Sequence, residues 1–178
     1  RPWRLALMEP ETVKICDDLA LLKRPTPTTA ELPPALADAV KKSDLVTGVY
    51  EGGFKLWECS KDLIMFLRSE GVPLQGKTVL ELGCGHGLPG IYALKMGARV
   101  DFQDFNSEVL DFATKANVAL NCDDASGAGF FSGDWADLPQ RVGEKRYDVI
   151  LTSETLYEPD SLEKLCVCVS SLLAPGGV

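Results

Sequence analysis

The sequence holds one histidine, His86, in 178 residues, and no run approaching the ~18 consecutive apolar residues that a membrane-spanning helix needs. The first residues, Arg1-Pro2-Trp3-Arg4, lack the long apolar stretch of a signal peptide, so the chain reads as soluble and intracellular, with no membrane partner. Its six cysteines, Cys16, Cys59, Cys84, Cys122, Cys166 and Cys168, form no CxxC pair, which argues against a zinc or dithiol redox site; reduced, mostly buried thiols and no metal are expected. Basic residues are also short: 18 against 26 acidic ones leave a net charge of -8. That balance disfavours a wide phosphate-binding surface, so no direct nucleic-acid contact is expected, and a basic protein partner suits the field better. No internal repeat is present.

What remains is ordinary globular material, 46% hydrophobic and 25% charged, enough for one domain with a real core. Residues 1–45, with Pro25, Pro27, Pro33 and Pro34, read as a loosely held extension with a short helical stretch over Ala35 to Lys42. The domain proper is expected over 46–178. Gly52-Gly53, between Val49-Tyr50-Glu51 and Phe54-Lys55-Leu56-Trp57, predicts a tight hairpin. Ser60 predicts an N-cap for a helix to Ser69. A short apolar run predicts a strand at Thr78–Leu82, and strands at Arg99–Gln103, Gly129–Ser132 and Tyr147–Thr152 then alternate with helices at Ile91–Met96, Ser107–Asn121 and Ser161–Leu173. The alternation implies an α/β fold, a mostly parallel sheet with helices on both faces. Leu172 to Val178 read as the lead into a fifth strand, so the fold is expected to be truncated after the fourth.

The chemistry concentrates in Glu81-Leu82-Gly83-Cys84-Gly85-His86-Gly87-Leu88-Pro89-Gly90, where glycines between a strand and a helix let a nucleotide-type ligand touch bare backbone. Gly85-x-Gly87-x-x-Gly90 also fits the dinucleotide fingerprint, but its first glycine lies late, after Gly83 has ended the strand. Glu81-x-Gly83-x-Gly85-x-Gly87 resembles motif I of class I, Rossmann-like methyltransferases. The resemblance implies S-adenosyl-L-methionine as cofactor, with Glu81, Gly83, Cys84, Gly85 and Gly87 around its methionine part. Asp104, at the next strand end, would accept both ribose hydroxyls, with Asn106 beside it. Gly133-Asp134-Trp135 resembles the adenine-edge motif, the acid taking the exocyclic amine and the aromatic flanking the ring. Ser153-Glu154-Thr155-Leu156-Tyr157 resembles the acidic-x-x-aromatic motif placed beside the transferred methyl, with Ser153 on the cofactor side.

A more specific string lies upstream. Ser43-Asp44-Leu45-x-x-Gly48-Val49-Tyr50-Glu51-Gly52-Gly53-x-Lys55-x-Trp57-Glu58-Cys59 resembles the protein-histidine methyltransferase family, and the likeness runs from about residue 43 onward. It implies N-methylation of a histidine ring nitrogen in a large-subunit ribosomal protein, and a cytoplasmic and nuclear location. Trp57 and Glu58 would lie over the cofactor and substrate channel. Glu154, Tyr157 and Glu58 are the catalytic candidates: a carboxylate to aim the imidazole, Glu154 before Glu58, and an aromatic, Tyr157 or Trp57, to shield the sulfonium. His86 reads as a bystander and Cys84 as a small loop filler. A lysine methyltransferase of the same fold and a non-catalytic cofactor-binding module are the competing readings.

Overall fold

The computed structural model describes residues 9–157 and 159–178; the first eight residues of the expected extension lie outside the described residues. Four strands form one sheet: β3 (Thr78–Leu82), β4 (Arg99–Asp104), β5 (Ala128–Ser132) and β6 (Val149–Thr152). Their spatial order is β5-β4-β3-β6 and every pairing is parallel, so β3 is central. Its run of Val79, Leu80 and Leu82 is buried on both faces, the reason a continuous apolar run suits this position. Two antiparallel strands, β1 (Glu11–Cys16) and β2 (Leu19–Lys23), stand apart as a hairpin.

Helices cover both faces. On one, Val79, Val100 and Leu151 pack against Ile64 and Leu67 of α2 (Glu58–Ser69) and Ile91 of α3 (Leu88–Lys95), and the hairpin adds Val13, Ile15 and Leu21. On the other, Leu80 and Leu82 meet Leu138 of α6 (Leu138–Val142) and Leu165, Cys168 and Leu172 of α7 (Pro159–Leu172). A third cluster joins α1 (Pro34–Lys42) to Tyr50, Phe54, Val109 and Ala113. Between β4 and β5 the chain is helical as α4 (Ser107–Val109), a π-helical turn (Leu110–Thr114) and α5 (Lys115–Asn121). Among the described residues no helix is long and apolar enough to cross a membrane.

The differences from the sequence reading have local causes. Residues 11–42, read as loose extension, form the hairpin and α1 because their alternating apolar side chains, Val13, Ile15 and Leu21, reach the core. The Gly52-Gly53 hairpin is absent: a lone bridge joins Val46 and Tyr50, and both Tyr50 and Phe54 turn inward, their rings 5.8 Å apart. Helix α2 starts at Glu58, with Trp57 rather than Ser60 at its N-cap and no side-chain cap; α3 starts at Leu88, three residues early, since Gly87 in the left-handed region already ends the preceding loop. All six cysteines are free, but only Cys84 and Cys168 are buried, and Cys166 is exposed. At the expected fifth strand, Val178 donates to Asp148 O (3.0 Å) and accepts from Ile150 N (2.8 Å), parallel pairing along β6.

The hairpin is fastened by two asparagines four residues apart on α5. Asn121 accepts from Leu22 N (2.8 Å) and donates to Leu22 O (2.7 Å), while Asn117 accepts from Arg24 N (2.6 Å). The side-chain amide thus imitates the backbone of a neighbouring strand. Asn121→Ala should lower the unfolding free energy by about 1–3 kcal/mol, because a half-buried donor and acceptor lose their partner. Urea unfolding would measure this; an unchanged midpoint would mean that apolar contacts alone hold the hairpin.

Candidate functional site

The carboxyl ends of β3, β4, β5 and β6 open into one cavity of about 770 Å³, the place where open parallel sheets take their ligands. Its first wall is the loop after β3. Gly83, Gly85 and Gly87 all have positive φ (61°, 51° and 70°). At Gly85 a further reason for glycine is present, because a Cβ there would lie 3.2 Å from Gly53 O. Gly53 is equally confined: a Cβ would stand 2.7 Å from the Val109 side chain and 3.1 Å from Asp104 Oδ2. The two glycines let the segment 48–57 lie as a strap directly on the loop. Thr114, at the end of the π-helical turn, donates to Gly85 O (2.7 Å) and fixes the loop from below.

Asp104 ends β4 at the cavity floor. It is 4% exposed, and each carboxylate oxygen accepts one backbone N–H, Oδ2 from Gly85 (2.9 Å) and Oδ1 from Asn106 (3.1 Å). Burial pushes its pKa up to about 6 against the pull of those amides. Beside it, Gln103 joins three parts of the site. Its Oε1 accepts from Gly83 N (3.2 Å) and Trp135 Nε1 (2.9 Å), and its Nε2 donates to Gly133 O (2.7 Å). On the same wall Asp134 accepts from Ala136 N (2.9 Å) and pairs with Lys164 of α7 (2.7 Å). Burial alone would raise the Asp134 carboxyl, but the Ala136 amide and the Lys164 ammonium outweigh it and hold it below its ordinary value.

The strap and the β6–α7 connection supply the opposite wall. Trp57 donates its indole N–H to Gly52 O (3.2 Å), and the Lys55 ammonium stands 4.4 Å from its ring centre. Glu51 accepts from the Tyr157 hydroxyl, joining the strap to the β6–α7 connection. Glu154 lines the rim and has φ 55°, the one left-handed non-glycine among the described residues. A backbone so held is uncommon and tends to mark working loops.

The cavity therefore gathers Trp57, Gly83, Cys84, Gly85, Asp104, Asp134, Trp135, Ser153, Glu154 and Tyr157 from the sequence-predicted set. Four others lie outside its lining. Glu58 is exposed and pairs with Lys61 (2.5 Å), since as the first residue of α2 it faces along the helix surface. Glu81 is buried behind the loop and accepts from Gly90 N (2.8 Å); Gly87 caps α3; Asn106 bonds Glu51 N (3.1 Å) and Val49 O (2.8 Å), tying the strap to β4. Gln103, Glu51 and Lys164 also line the cavity and were not among the expected residues, although Glu51 sits within the Ser43–Cys59 string that carries the family resemblance. His86 borders the cavity with both ring nitrogens engaged, Nε2 with Phe54 O (2.9 Å) and Nδ1 with Asn117 Nδ2 (3.3 Å). Burial lowers its pKa, so it is a neutral fastener.

Glu81 carries a pH signature. Burial raises its pKa to about 8, from about 4.5 when exposed, so the protonated form favours the fold. Its contribution is complete below pH ~4 and is lost as pH climbs towards 8. Between pH 6.5 and 7.5 Asp104 is already mostly ionised and unfolded histidine, with a pKa near ~6.5, goes from half to mostly neutral, leaving Glu81 the largest contributor. Stability should fall there by up to about 1.4 kcal/mol per pH unit, and Glu81→Gln should flatten the slope. Urea midpoints at the two pH values test this; equal slopes in both proteins would remove Glu81 as the cause.

Residues 43–178 match the family model described as lysine methyltransferase. The chain is 52% identical over 136 residues to a histidine protein methyltransferase 1 homolog of Dictyostelium discoideum, covering 76% of this chain and 44% of that protein. It is 44% identical over 147 residues to the homolog of Bos taurus, covering 66% and 39%. The chain thus spans less than half the length of these curated relatives. Among solved structures, a glycopeptide N-methyltransferase complexed with S-adenosyl-L-homocysteine superposes with a TM-score of 0.55 at 22% identity, covering 68% of this chain and 50% of that one. That likeness shows the fold, a Rossmann-like class I methyltransferase sheet. On the match over residues 43–178, the chain belongs to the lysine methyltransferase family and is related to the histidine protein methyltransferases.

Proposed function

We propose that this chain is the S-adenosylmethionine-binding part of a protein methyltransferase whose acceptor is a histidine ring nitrogen. The observation that carries the reading is the cavity floor, where Asp104, buried and bonded once on each oxygen, keeps lone pairs for a diol between a glycine loop and Asp134-Trp135. These residues fit the cofactor. Loop backbone at Gly83 to Gly85 would hold the methionine part, Asp104 the ribose hydroxyls, and Asp134 the adenine amine with Trp135 at the ring. When bound, the cofactor supplies a methyl group on a positively charged sulfur.

The chain's own residues then have to position an acceptor. Free imidazole, with a pKa near ~6.5, is largely neutral at pH 7 and needs no strong base, unlike lysine at ~10.4. Fixing the tautomer, aiming the nitrogen and excluding water can contribute on the order of 7–11 kcal/mol. Glu154, Ser153 and Tyr157 line the same cavity as the glycine loop, and the rings of Trp57 and Tyr157 suit a cationic centre. The relatives' names support histidine, and the net charge of -8 suits a basic partner such as a large-subunit ribosomal protein. The family description keeps lysine as the second reading.

Calorimetry should show binding of S-adenosylhomocysteine and none of NAD, with Asp104→Ala weakening the former about 10- to 100-fold through lost hydrogen bonds to a charged acceptor. NAD binding without a response to S-adenosylhomocysteine would overturn the cofactor assignment. Mass spectrometry of ribosomal-protein peptides incubated with labelled cofactor should place the methyl on histidine; label on lysine alone would select the second reading.

A further inference from the structure

Three carboxylates stand near the acceptor side of the cavity, and they are placed differently. Glu58 is turned to Lys61 on the surface of α2, outside the cavity lining. Glu154 is exposed at the rim and makes no side-chain hydrogen bond among the described residues. Glu51 is half-buried, lines the cavity and is held at three points: its backbone N–H donates to Asn106 Oδ1 (3.1 Å), its Oε1 accepts from Gly48 N (2.6 Å), and its Oε2 accepts from the Tyr157 hydroxyl. A carboxylate fixed from both ends is pre-organised, whereas a free one must be ordered by the ligand. Its charge reaches the cofactor side too: after burial, which dominates, Glu51 is among the groups that raise Asp104.

Resting on the function proposed above, we propose that Glu51, braced by Gly48 and Tyr157, is the carboxylate that receives the acceptor's ring N–H and so fixes which ring nitrogen presents its lone pair. A carboxylate has about four acceptor positions, of which Glu51 has used two. With one imidazole nitrogen donating to Glu51, the other necessarily presents its lone pair away from it, which fixes the tautomer. The same carboxylate rejects lysine. Its charge raises the pKa of either acceptor, but an imidazole that starts near ~6.5 keeps a neutral fraction at pH 7–8, whereas a lysine that starts near ~10.4 is held as an ammonium with no lone pair to offer. Tyr157 acts through Glu51 and is a positioning residue in this assignment.

The test uses the whole chain saturated with S-adenosylhomocysteine and titrated with N-acetylhistidine methylamide, followed by NMR of the ligand's imidazole protons. The ring pKa of the bound ligand should lie above its free value in the wild type and return towards it in Glu51→Gln. Glu51→Gln should weaken ligand binding about tenfold, as expected for loss of a charge-assisted hydrogen bond. Tyr157→Phe, which removes the brace but keeps the charge, should lose less and keep the raised pKa. The analogue with phenylalanine in place of histidine should not distinguish the wild type from Glu51→Gln. Unchanged imidazole affinity and pKa in Glu51→Gln, or no imidazole binding to the wild-type complex, would overturn the assignment while leaving the cofactor reading intact. Failure of S-adenosylhomocysteine to bind the wild type would instead remove the underlying reading, and this inference with it.

Discussion

The strap rests on the glycine loop with backbone against backbone at Gly53 and Gly85, directly above the Asp104 carboxylate. No side chain fits between them, and that contact sets the spacing of everything around the cavity. It lets Asp104 take the Gly85 amide, brings Glu51 to the cavity wall, and holds Trp57 where its indole closes the strap on Gly52. Behind the loop the same closeness is enforced by Thr114 on Gly85 O and by His86 on Phe54 O. The π-helical turn that ends at Thr114 is part of this arrangement, consistent with the habit of such turns to occur beside functional sites.

The sheet was legible in the sequence because its signal is local. β3 and β6 are short apolar runs, β4 alternates apolar with polar residues, and the glycines after β3 mark where backbone must approach backbone. The acidic residues at strand ends followed from the same register, and most of them do line the cavity. What escaped was non-local. Gly52-Gly53 has the composition of a hairpin turn, but Gly53 serves close packing against Val109 and Gly85, partners more than thirty residues away. Gln103 reads as a polar residue in a strand until Gly83, Gly133 and Trp135 are brought around it. Glu58 looked like a channel residue by its place beside Trp57, yet one step along the start of a helix turns a side chain by about 100°. The hairpin of residues 11–23 was hidden by the proline-rich segment that follows it, which gave the whole stretch the texture of a linker.

Two buried carboxylates show what the site costs the fold. Glu81 has one backbone N–H to offset its burial and Asp104 has two, and in both burial prevails in the pKa. Neither position is what stability alone would select, since apolar neighbours such as Val79 and Phe102 fill adjacent strand positions without that cost. Glu81 orients the start of α3 through its hydrogen bond from Gly90, and Asp104 holds the loop while keeping lone pairs for a ligand. The arrangement accords with the general finding that strain and unfavourable burial gather where a protein binds or reacts.

The asparagine pair on α5 has a consequence for how molecules of this protein meet one another. Strand β2 forms the outer margin of a two-stranded hairpin, and such a margin is a template on which another polypeptide can add. Asn121 occupies both backbone groups of Leu22 and Asn117 takes the amide of Arg24, so an incoming strand finds its hydrogen-bonding positions there already filled. Helical side chains therefore serve the hairpin as a guard against intermolecular sheet growth, a task that more strands would perform in a larger sheet.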